Sequence, residues 1–410
     1  MVETLESEIV RLGAQGDGIA DVPGGPLYVP YTLAGERVTV RRDDGKVHLV
    51  EVLSASADRV SAPCPHFGTC GGCKLQHMSA PSYLDWKREQ VVSALAQRGI
   101  DSPVAPVIAC RGHRRRAVLS ARQTGAGVLL GFHREASHEL VDLHTCVVMH
   151  PGIVAALDGV RALIAPLMSR SGVMRVTLTW TAGGLDVALD DVAAKLTPEL
   201  RAKIASTATA AGFARVSVAR EPVYQGLTPL LHLAAAEVVP PPGSFLQAVA
   251  EMEDEMARLV SEAVGKAKTV ADLFCGVGAF TFRLAAGARV FAADSDKDAL
   301  AALLAAVRKT PGLKPIEART RDLFREPLSA TELRDFDAVV FDPPRAGADA
   351  QARMIARSKV KTVVAVSCNP ATLARDVRTM LEGGYKIESI TPLDQFLYSP
   401  HLETVAVLRR

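Results

Sequence analysis

The fold of this chain is decided by residues 269–280, which read TVADLFCGVGAF. The first residues are mostly apolar and predict a buried strand, and Gly276 and Gly278 follow it directly. Two glycines at this point let the chain turn into a helix and let a ligand approach the backbone closely. A dinucleotide site carries a third glycine three positions further on, where this chain has Thr281. The stretch therefore predicts a nucleotide-type pocket and favours S-adenosylmethionine over NAD.

The residues around this stretch alternate between short apolar runs and helical patterns. This alternation predicts a parallel, doubly wound α/β sheet, followed by a hairpin-like pair of strands. The predicted helices cover 251–264 and 296–308, and the predicted strands cover 269–273, 289–293, 315–319, 337–341, 362–366, 385–391 and 402–408.

Acidic side chains follow several of these strands. Asp294 ends the second strand, where its carboxylate can accept hydrogen bonds from both hydroxyls of a ribose. Asp322 follows the third strand, close to where an adenine edge would lie, and Asp342 ends the fourth in Asp342-Pro343-Pro344-Arg345. Open α/β sheets bind ligands at the carboxyl ends of their strands, so these acids are expected to share one pocket.

Cys368 ends the fifth strand, in Ser367-Cys368-Asn369-Pro370. A free cysteine is commonly a small buried apolar residue, but this one is predicted at the ligand edge, one strand from Asp342. A thiolate there can add to carbon 6 of uracil and make carbon 5 nucleophilic toward a methyl donor. A base must then remove the proton from carbon 5. Glu403, at the start of the last strand, is the candidate base; the alternative for it is an exposed edge-strand acid.

The N-terminal half differs in pattern. Residues 1–55 contain β-rich pieces separated by glycines, which predicts a small barrel. Residues 82–98 have helical spacing and end at Gly99, a residue typical of a helix C-terminus. A hairpin is predicted from 173–178 and 185–189, and the Pro240–Gly243 segment marks a boundary.

Three cysteines lie within ten residues in a loop rich in glycine and proline: Cys64, Cys70 and Cys73. A site with four thiolates needs one more ligand, for which Cys146 is the best candidate and Cys110 the rival. Such a set suits zinc or an iron–sulfur cluster, and the spacing alone does not choose between them.

Composition excludes several classes of protein. The 410 residues are 48% hydrophobic and only 22% charged, which excludes a disordered chain. No run of about 18 apolar residues is present, and the acidic start is unlike a secretory signal, so we expect a cytoplasmic protein without membrane contact. The 47 basic and 45 acidic residues nearly balance, but basic residues cluster locally and predict RNA binding. The arginines of this cluster are Arg111, Arg114, Arg115, Arg116 and Arg122.

Together these motifs resemble the RNA (uracil-5-)-methyltransferase family over nearly the whole chain. The resemblance implies that Cys368 is the nucleophile and Glu403 the base. It implies that Cys64, Cys70, Cys73 and Cys146 hold a [4Fe–4S] cluster, as in the branch that acts on 23S ribosomal RNA. The implied S-adenosylmethionine site comprises Gln247, Phe274, Gly276, Gly278, Ala279, Asp294, Asp322 and Asp342. Two departures affect this site: Val249 and Ala279 stand where the family commonly has asparagine.

The resemblance also implies a domain organisation. A TRAM-like, OB-like RNA-binding β-barrel covers 1–55, and a central α+β domain with the cluster and an RNA-binding surface covers 56–245. A Rossmann-like methyltransferase domain covers 246–410, and segment 81–109 is expected to be able to pack on it.

The expected function is methylation of carbon 5 of a uridine in RNA, most specifically 23S rRNA, by a monomeric enzyme. One alternative is an RNA cytosine-5 methyltransferase, which uses a similar thiol addition but typically has proline before the cysteine, where this chain has Ser367. The other is a non-catalytic RNA-binding or ribosome-assembly factor, which the presence of both Cys368 and Glu403 disfavours.

Overall fold

The N-terminal region is rich in β-strands, as predicted. The computed structural model describes residues 3–43, 45–135, 137–169 and 172–410. Its first strands form two three-stranded sheets, β1-β5-β6 and β2-β3-β4. The two sheets share one apolar core, to which β5 contributes Val38 and Val40, while Arg37 before them and Arg41 after them are exposed. The strands are β1 (Glu3–Glu8), β2 (Arg11–Leu12), β3 (Gly18–Val22), β4 (Gly25–Val29), β5 (Arg37–Asp43) and β6 (Lys46–Ser54).

The central region is a six-stranded sheet with two helices against it. The strand order is β12-β11-β10-β9-β7-β8, and only β10 and β11 run parallel. The predicted hairpin is confirmed, because β9 and β10 pair antiparallel. In chain order the elements are α1 (Ala80–Ala96), β7 (Arg116–Thr124), β8 (Gly127–Gly131), α2 (Pro151–Ile164), β9 (Val173–Thr181), β10 (Gly184–Asp190), α3 (Pro198–Ala210), β11 (Arg215–Val218) and β12 (Glu221–Gln225). A short hairpin of β13 (Leu231–Leu233) and β14 (Ala236–Val238) follows.

The C-terminal region is a seven-stranded sheet of order β17-β16-β15-β18-β19-β21-β20. Its first five strands are parallel, and β21 and β20 add an antiparallel edge, as the sequence pattern predicted. The elements are α4 (Ala250–Val264), β15 (Thr269–Leu273), α5 (Thr281–Leu284), β16 (Arg289–Asp294), α6 (Lys297–Val307), β17 (Ile316–Thr320), β18 (Ala338–Phe341), α7 (Asp349–Arg357), β19 (Thr362–Ser367), α8 (Pro370–Glu382), β20 (Lys386–Leu393) and β21 (Glu403–Arg409).

Both faces of this sheet are covered by helices, so its central strands are continuously apolar. Every residue of β18 and of β19 is buried. In the sequence, parallel strands that are covered on both faces are mostly unbroken runs of apolar residues, without an alternation of apolar and polar residues. The strand order reverses beside β15, whose neighbours are β16 and β18, and such switch points are where open α/β sheets bind ligands.

Helix α1 joins the N-terminal half to this sheet. Its residues Val91 and Leu95 belong to the same core as Leu373 and Val377 of α8. The buried Lys87 donates to the Asp394 carboxylate at 2.6 Å and to the carbonyl oxygen of His401 at 2.7 Å. This helix therefore fixes the loop between β20 and β21. No helix in the described ranges is long and apolar enough to cross a membrane.

Candidate active site

The glycine loop after β15 has a backbone that few residue types tolerate. Gly276 and Gly278 have φ values of +52° and +100°, and Phe274 before them has φ +61°. A Cβ at position 278 would lie 2.7 Å from a ring carbon of Phe282, whereas one at position 276 would meet open space. Side chains rarely adopt such φ values, and this kind of strain concentrates at ligand sites. The loop thus leaves room for a ligand at Gly276.

Asp294 stands beside this loop, as its position after β16 predicted. One carboxylate oxygen accepts a hydrogen bond from the Gly276 N–H at 2.8 Å, and the other accepts from the Asp296 N–H at 2.8 Å. The two backbone donors fix the carboxylate at the switch point. Asp322 lies after β17, and the neighbouring Phe324 packs against Phe274 with ring centroids 5.4 Å apart.

Thr281, which replaces the third glycine, has a specific partner. Its hydroxyl donates to the buried Asp272 at 2.5 Å, while the other carboxyl oxygen of Asp272 has no partner within the described residues. Burial raises the pKa of Asp272 to about 7. The nearby charges of Asp342 and Asp294 raise this pKa further. Asp272, at the base of the pocket, therefore does not carry a full negative charge at neutral pH.

Cys368 and Glu403 are brought together by strand pairing. Strands β19 and β21 run antiparallel with Ser367 opposite Thr404. Cys368 follows Ser367 and Glu403 precedes Thr404, so the two side chains emerge next to each other at the ligand edge. Glu403 is only 3% exposed and is not the exposed edge-strand acid of the alternative interpretation.

A chain of hydrogen bonds connects Glu403 to Asp342. The Gln247 amide nitrogen donates to Asp342 at 2.8 Å. The Gln395 amide nitrogen donates both to the Gln247 oxygen at 2.6 Å and to Glu403 at 2.8 Å. The sequence analysis missed Gln395, since it lies in the irregular segment between β20 and β21 and no motif marks it. Val249 stands where the family commonly has an asparagine near Gln247. The Gln247 side chain is nevertheless held in place by its hydrogen bonds with Asp342 and Gln395.

The pKa values of the ionisable groups of this site are shifted mainly by burial. Burial raises the pKa of the Cys368 thiol to about 12, and the charge of Glu403 adds to the rise while Arg345 opposes it. Burial and the charge of Asp342 raise the pKa of Glu403 well above its usual range, against the hydrogen bond from Gln395. The pKa of Asp342 is raised to about 7, again chiefly by burial. The thiolate therefore needs added positive charge or a bound ligand to form.

A cavity of about 220 Å³ opens onto the thiol. It is smaller than the roughly 300–1,000 Å³ typical of pockets for drug-sized ligands, a size that suits a single nucleobase. Its lining comes from three regions of the chain: Ala14 and Gln15 near the first strands, Gln90, Ser93 and Ala94 of α1 with Gln97 just after it, and Arg345, Cys368, Asn369 and His401 near the sheet edge.

The chain is similar to curated proteins along its whole length. An uncharacterized RNA methyltransferase of Brucella suis is 50% identical over 409 residues, which cover 100% of this chain and 98% of that protein. The 23S rRNA (uracil(1939)-C(5))-methyltransferase RlmD of Chromohalobacter salexigens is 32% identical over 426 residues, with 98% of this chain and 88% of that protein covered. The model of the tRNA (Uracil-5-)-methyltransferase family matches residues 239–410.

This chain belongs to the RNA (uracil-5-)-methyltransferase family. A solved relative, the Pyrococcus abyssi tRNA (uracil-54, C5)-methyltransferase in complex with S-adenosyl-L-homocysteine, superposes with a TM-score of 0.76 at 26% identity. The match covers 98% of this chain and 99% of that one. The protein is therefore a multidomain α/β enzyme with a C-terminal methyltransferase fold, and S-adenosylmethionine is its methyl donor.

The four cysteines expected to bind a metal in this methyltransferase line one cavity of about 50 Å³. Burial raises the pKa of the Cys70 thiol above its usual range. Cys110, the rival ligand, instead packs against the α4 core near Met252. Among the residues that the structure describes, no three His, Cys, Asp or Glu side chains lie close enough to hold one metal ion.

Only some of the arginines that were predicted to form an RNA-binding surface are exposed in this methyltransferase. Arg115 is buried, donating to the Glu253 carboxylate at 2.8 Å and to the Gln247 carbonyl oxygen at 3.1 Å. Arg116 donates to the carbonyl oxygens of Ser244 and Gly243. The prediction that the arginine run faces RNA is therefore wrong for these two residues, whose side chains fasten the start of the methyltransferase fold to β7. Arg111 remains exposed.

Proposed function

We propose that this enzyme methylates carbon 5 of a uridine in 23S rRNA, with Cys368 as the nucleophile and Glu403 as the base. The observation that carries the proposal is the placement of the two side chains at adjacent strand ends, with Cys368 lining a cavity of nucleobase size. The RlmD relative, which is named for a uracil of 23S rRNA, supports the choice of substrate.

The roles follow from the chemistry of uracil. The Cys368 thiolate adds to carbon 6, and the resulting enolate makes carbon 5 able to attack the methyl donor. S-adenosylmethionine, when bound, supplies the methyl group as an electrophile. Glu403 then takes the proton from carbon 5 as the bond between sulfur and carbon 6 breaks, which returns the thiolate and releases 5-methyluridine. The target base must leave its stack to reach the thiol, so a structured loop is a better substrate than a perfect duplex.

S-adenosylmethionine would be held at the switch point beside β15. Asp294 would bind its ribose hydroxyls, Asp322 and Phe274 would flank its adenine, and Gly276, Gly278 and Ala279 would let it approach the backbone. Gln247 and Asp342 would face the part that carries the methyl group. The support for this assignment is that Gly276 opens onto free space next to the fixed Asp294 carboxylate.

Cys64, Cys70, Cys73 and Cys146 hold a [4Fe–4S] cluster that has a structural role. Zinc binds sulfur at about 2.3 Å, so a zinc site draws four thiolates around one ion. A four-iron cluster takes one thiolate at each iron and spreads its ligands further apart. The lining of one cavity by all four cysteines supports a site that they share, and the resemblance to the branch that acts on 23S rRNA is the reason for choosing the cluster over zinc.

Metal analysis of the purified protein tests the cluster. We expect iron and acid-labile sulfide in equal amounts, both lost in Cys146→Ser and both retained in the control Cys110→Ser. Stoichiometric zinc without iron would contradict this assignment.

The N-terminal region binds RNA and, as a TRAM-like barrel, covers residues 1–55. The central region covers 56–245 and the methyltransferase region covers 246–410, with α1 packed on the latter. Exposed basic side chains on β5 and β6, including Arg41, Arg42 and Lys46, support the RNA-binding role because phosphate contacts provide most of the non-specific affinity for RNA.

Mapping of 5-methyluridine across the rRNA of wild-type and deletion cells tests the substrate. We expect one or more 23S positions to lose the methyl group on deletion and to regain it with the wild-type gene but not with Cys368→Ala. An unchanged 23S rRNA with loss of 5-methyluridine from tRNA would contradict the proposed substrate.

A further inference from the structure

Gln395 occupies the centre of the hydrogen-bond chain beside Glu403. Its side chain is 1% exposed and makes three hydrogen bonds. The amide oxygen accepts from the Ala248 backbone N–H at 3.0 Å, and the amide nitrogen donates to Gln247 and to Glu403. All three partners lie in the methyltransferase region: Gln247 and Ala248 are neighbours before α4, and Glu403 begins β21, so this one residue joins two distant parts of the chain.

The contact with Ala248 determines which way the Gln395 amide faces. A backbone N–H can only donate, so it requires the amide oxygen as its acceptor. The two hydrogens of the Gln395 nitrogen are therefore turned toward Gln247 and Glu403. Gln247 accepts with its oxygen and must in turn direct its own nitrogen at Asp342. A single backbone donor thereby orients both amides.

The same contacts make the two oxygens of Glu403 unequal. Oε1 accepts the hydrogen bond from Gln395, whereas Oε2 is buried and has no hydrogen-bond partner within the described residues. A buried carboxylate oxygen without a partner is costly, so it is expected to gain one during the reaction.

We propose that Gln395 is a positioning residue that holds Glu403 by Oε1 and so presents Oε2 to the carbon 5 proton of the substrate. The inference rests on the proposed role of Glu403 as the base. In the step concerned, the bond between carbon 5 and hydrogen breaks and its proton passes to Oε2. The electron pair forms the double bond between carbons 5 and 6, the bond from carbon 6 to sulfur breaks, and Cys368 leaves as a thiolate.

The hydrogen bond from Gln395 also favours the anionic form of the base. Burial and the charge of Asp342 raise the pKa of Glu403, and the Gln395 donor lowers it. The other titratable or charged groups at this point are the Cys368 thiol and Arg345 beside it. Loss of the donor should therefore shift the loss of the carbon 5 proton toward higher pH.

The test is a single-turnover experiment with uridine-containing RNA and labelled S-adenosylmethionine, in which covalent protein–RNA adduct and free methylated RNA are followed separately. Gln395→Met keeps the length of the side chain but removes the donor. Gln395→Asn keeps the amide but shortens the side chain by one methylene group, so that the amide does not reach its partners. This variant replaces Gln395→Met in the experiment if Gln395→Met fails to fold. Gln351→Leu is the matched control, since Gln351 is a buried glutamine whose side chain, among the residues that the structure describes, bonds only to the Leu328 backbone.

In the Gln395 variants we expect the methylated adduct to form at close to the normal rate. We expect it to decay roughly ten- to a hundredfold more slowly, the size expected for one hydrogen bond to a charged group. The pH at which decay is half-maximal should rise, and Gln351→Leu should change neither quantity. Decay at the wild-type rate, or equal slowing of formation and decay, would overturn the role of Gln395. Failure of the wild-type protein to release any methylated RNA would instead refute the proposed function itself.

Discussion

Cys368 and Glu403 lie side by side, one residue beyond the Ser367–Thr404 pair of two antiparallel strands. Because the sheet itself sets their spacing, the thiol and the carboxyl group can act on the two carbons of one carbon–carbon bond, carbon 6 and carbon 5, without a large movement of either strand. The antiparallel edge that follows the five parallel strands is what brings the carboxylate to the ligand edge.

The first prediction concerns Glu403→Gln. The thiol can still add and the methyl group can still transfer, but no base remains to take the carbon 5 proton. We expect a covalent adduct with ordinary uridine RNA to accumulate on denaturing gels and product release to slow by roughly 10²–10⁴-fold. The double variant that also carries Cys368→Ala should form no adduct. Turnover of Glu403→Gln at the wild-type rate would exclude Glu403 as the base.

The second prediction concerns the pH dependence of cofactor binding. Burial raises the pKa of Asp342 to about 7, so the carboxyl group gains a proton as the pH falls below that value. S-adenosylmethionine carries a sulfonium cation and binds better next to a carboxylate. Calorimetry between pH 8 and pH 6 should show affinity falling by up to about tenfold per pH unit. Asp342→Asn should bind more weakly and lose most of this dependence; an unchanged profile in that variant would assign the titration elsewhere.

The third prediction concerns the buried pair of Arg115 and Glu253. Removal of the arginine leaves a buried carboxyl group without its charged partner, so Arg115→Met should lower the free energy of unfolding by about 3–5 kcal/mol. Urea unfolding followed by the fluorescence of Trp180, whose backbone N–H donates to the Arg115 carbonyl oxygen, measures this. The double variant that also carries Glu253→Leu should regain most of the lost free energy of unfolding. A double variant as unstable as the single one would show that Arg115 stabilises through other contacts.

The fourth prediction concerns Arg41 and Arg42, which are exposed on β5. If each contacts a phosphate, replacement of either by alanine should reduce the slope of log affinity against log salt concentration by about 0.7–0.9. Filter binding over a range of salt concentrations measures the slope. Arg308→Ala at the end of α6 removes the same charge from the methyltransferase region and should leave the slope unchanged. Equal effects of all three variants would indicate a general effect of net charge.

Local patterns predicted the elements of the methyltransferase region closely, because each strand and helix is encoded by its own spacing of apolar residues. Strand β15 covers the predicted residues, and Glu403 begins β21 as expected. The acids after the strands were predictable for the same reason, since parallel strands place their carboxyl ends at one edge.

Contacts between distant parts of the chain were not predictable in this way. Gln395 and Gln247 are 148 residues apart, and Arg115 and Glu253 are 138 apart. Lys87 reaches Asp394 over 307 residues. From the sequence alone, an arginine or a lysine is expected to lie on the surface. Only the tertiary fold shows the buried acid that pairs with it. The inward-facing Arg115 and the positioning amide of Gln395 therefore emerge only from the structure.

The most direct test of Cys368 as the nucleophile is trapping with RNA that contains 5-fluorouridine. Because fluorine replaces the hydrogen at carbon 5, the base has no proton to remove there. The methylated adduct should therefore persist. Mass spectrometry of the digested complex should locate the modified nucleotide, with one added methyl group, on the peptide that contains Cys368, and RNA with 5-fluorocytidine should give no adduct. An adduct at another residue, no adduct at all, or trapping by 5-fluorocytidine alone would contradict uracil methylation through Cys368.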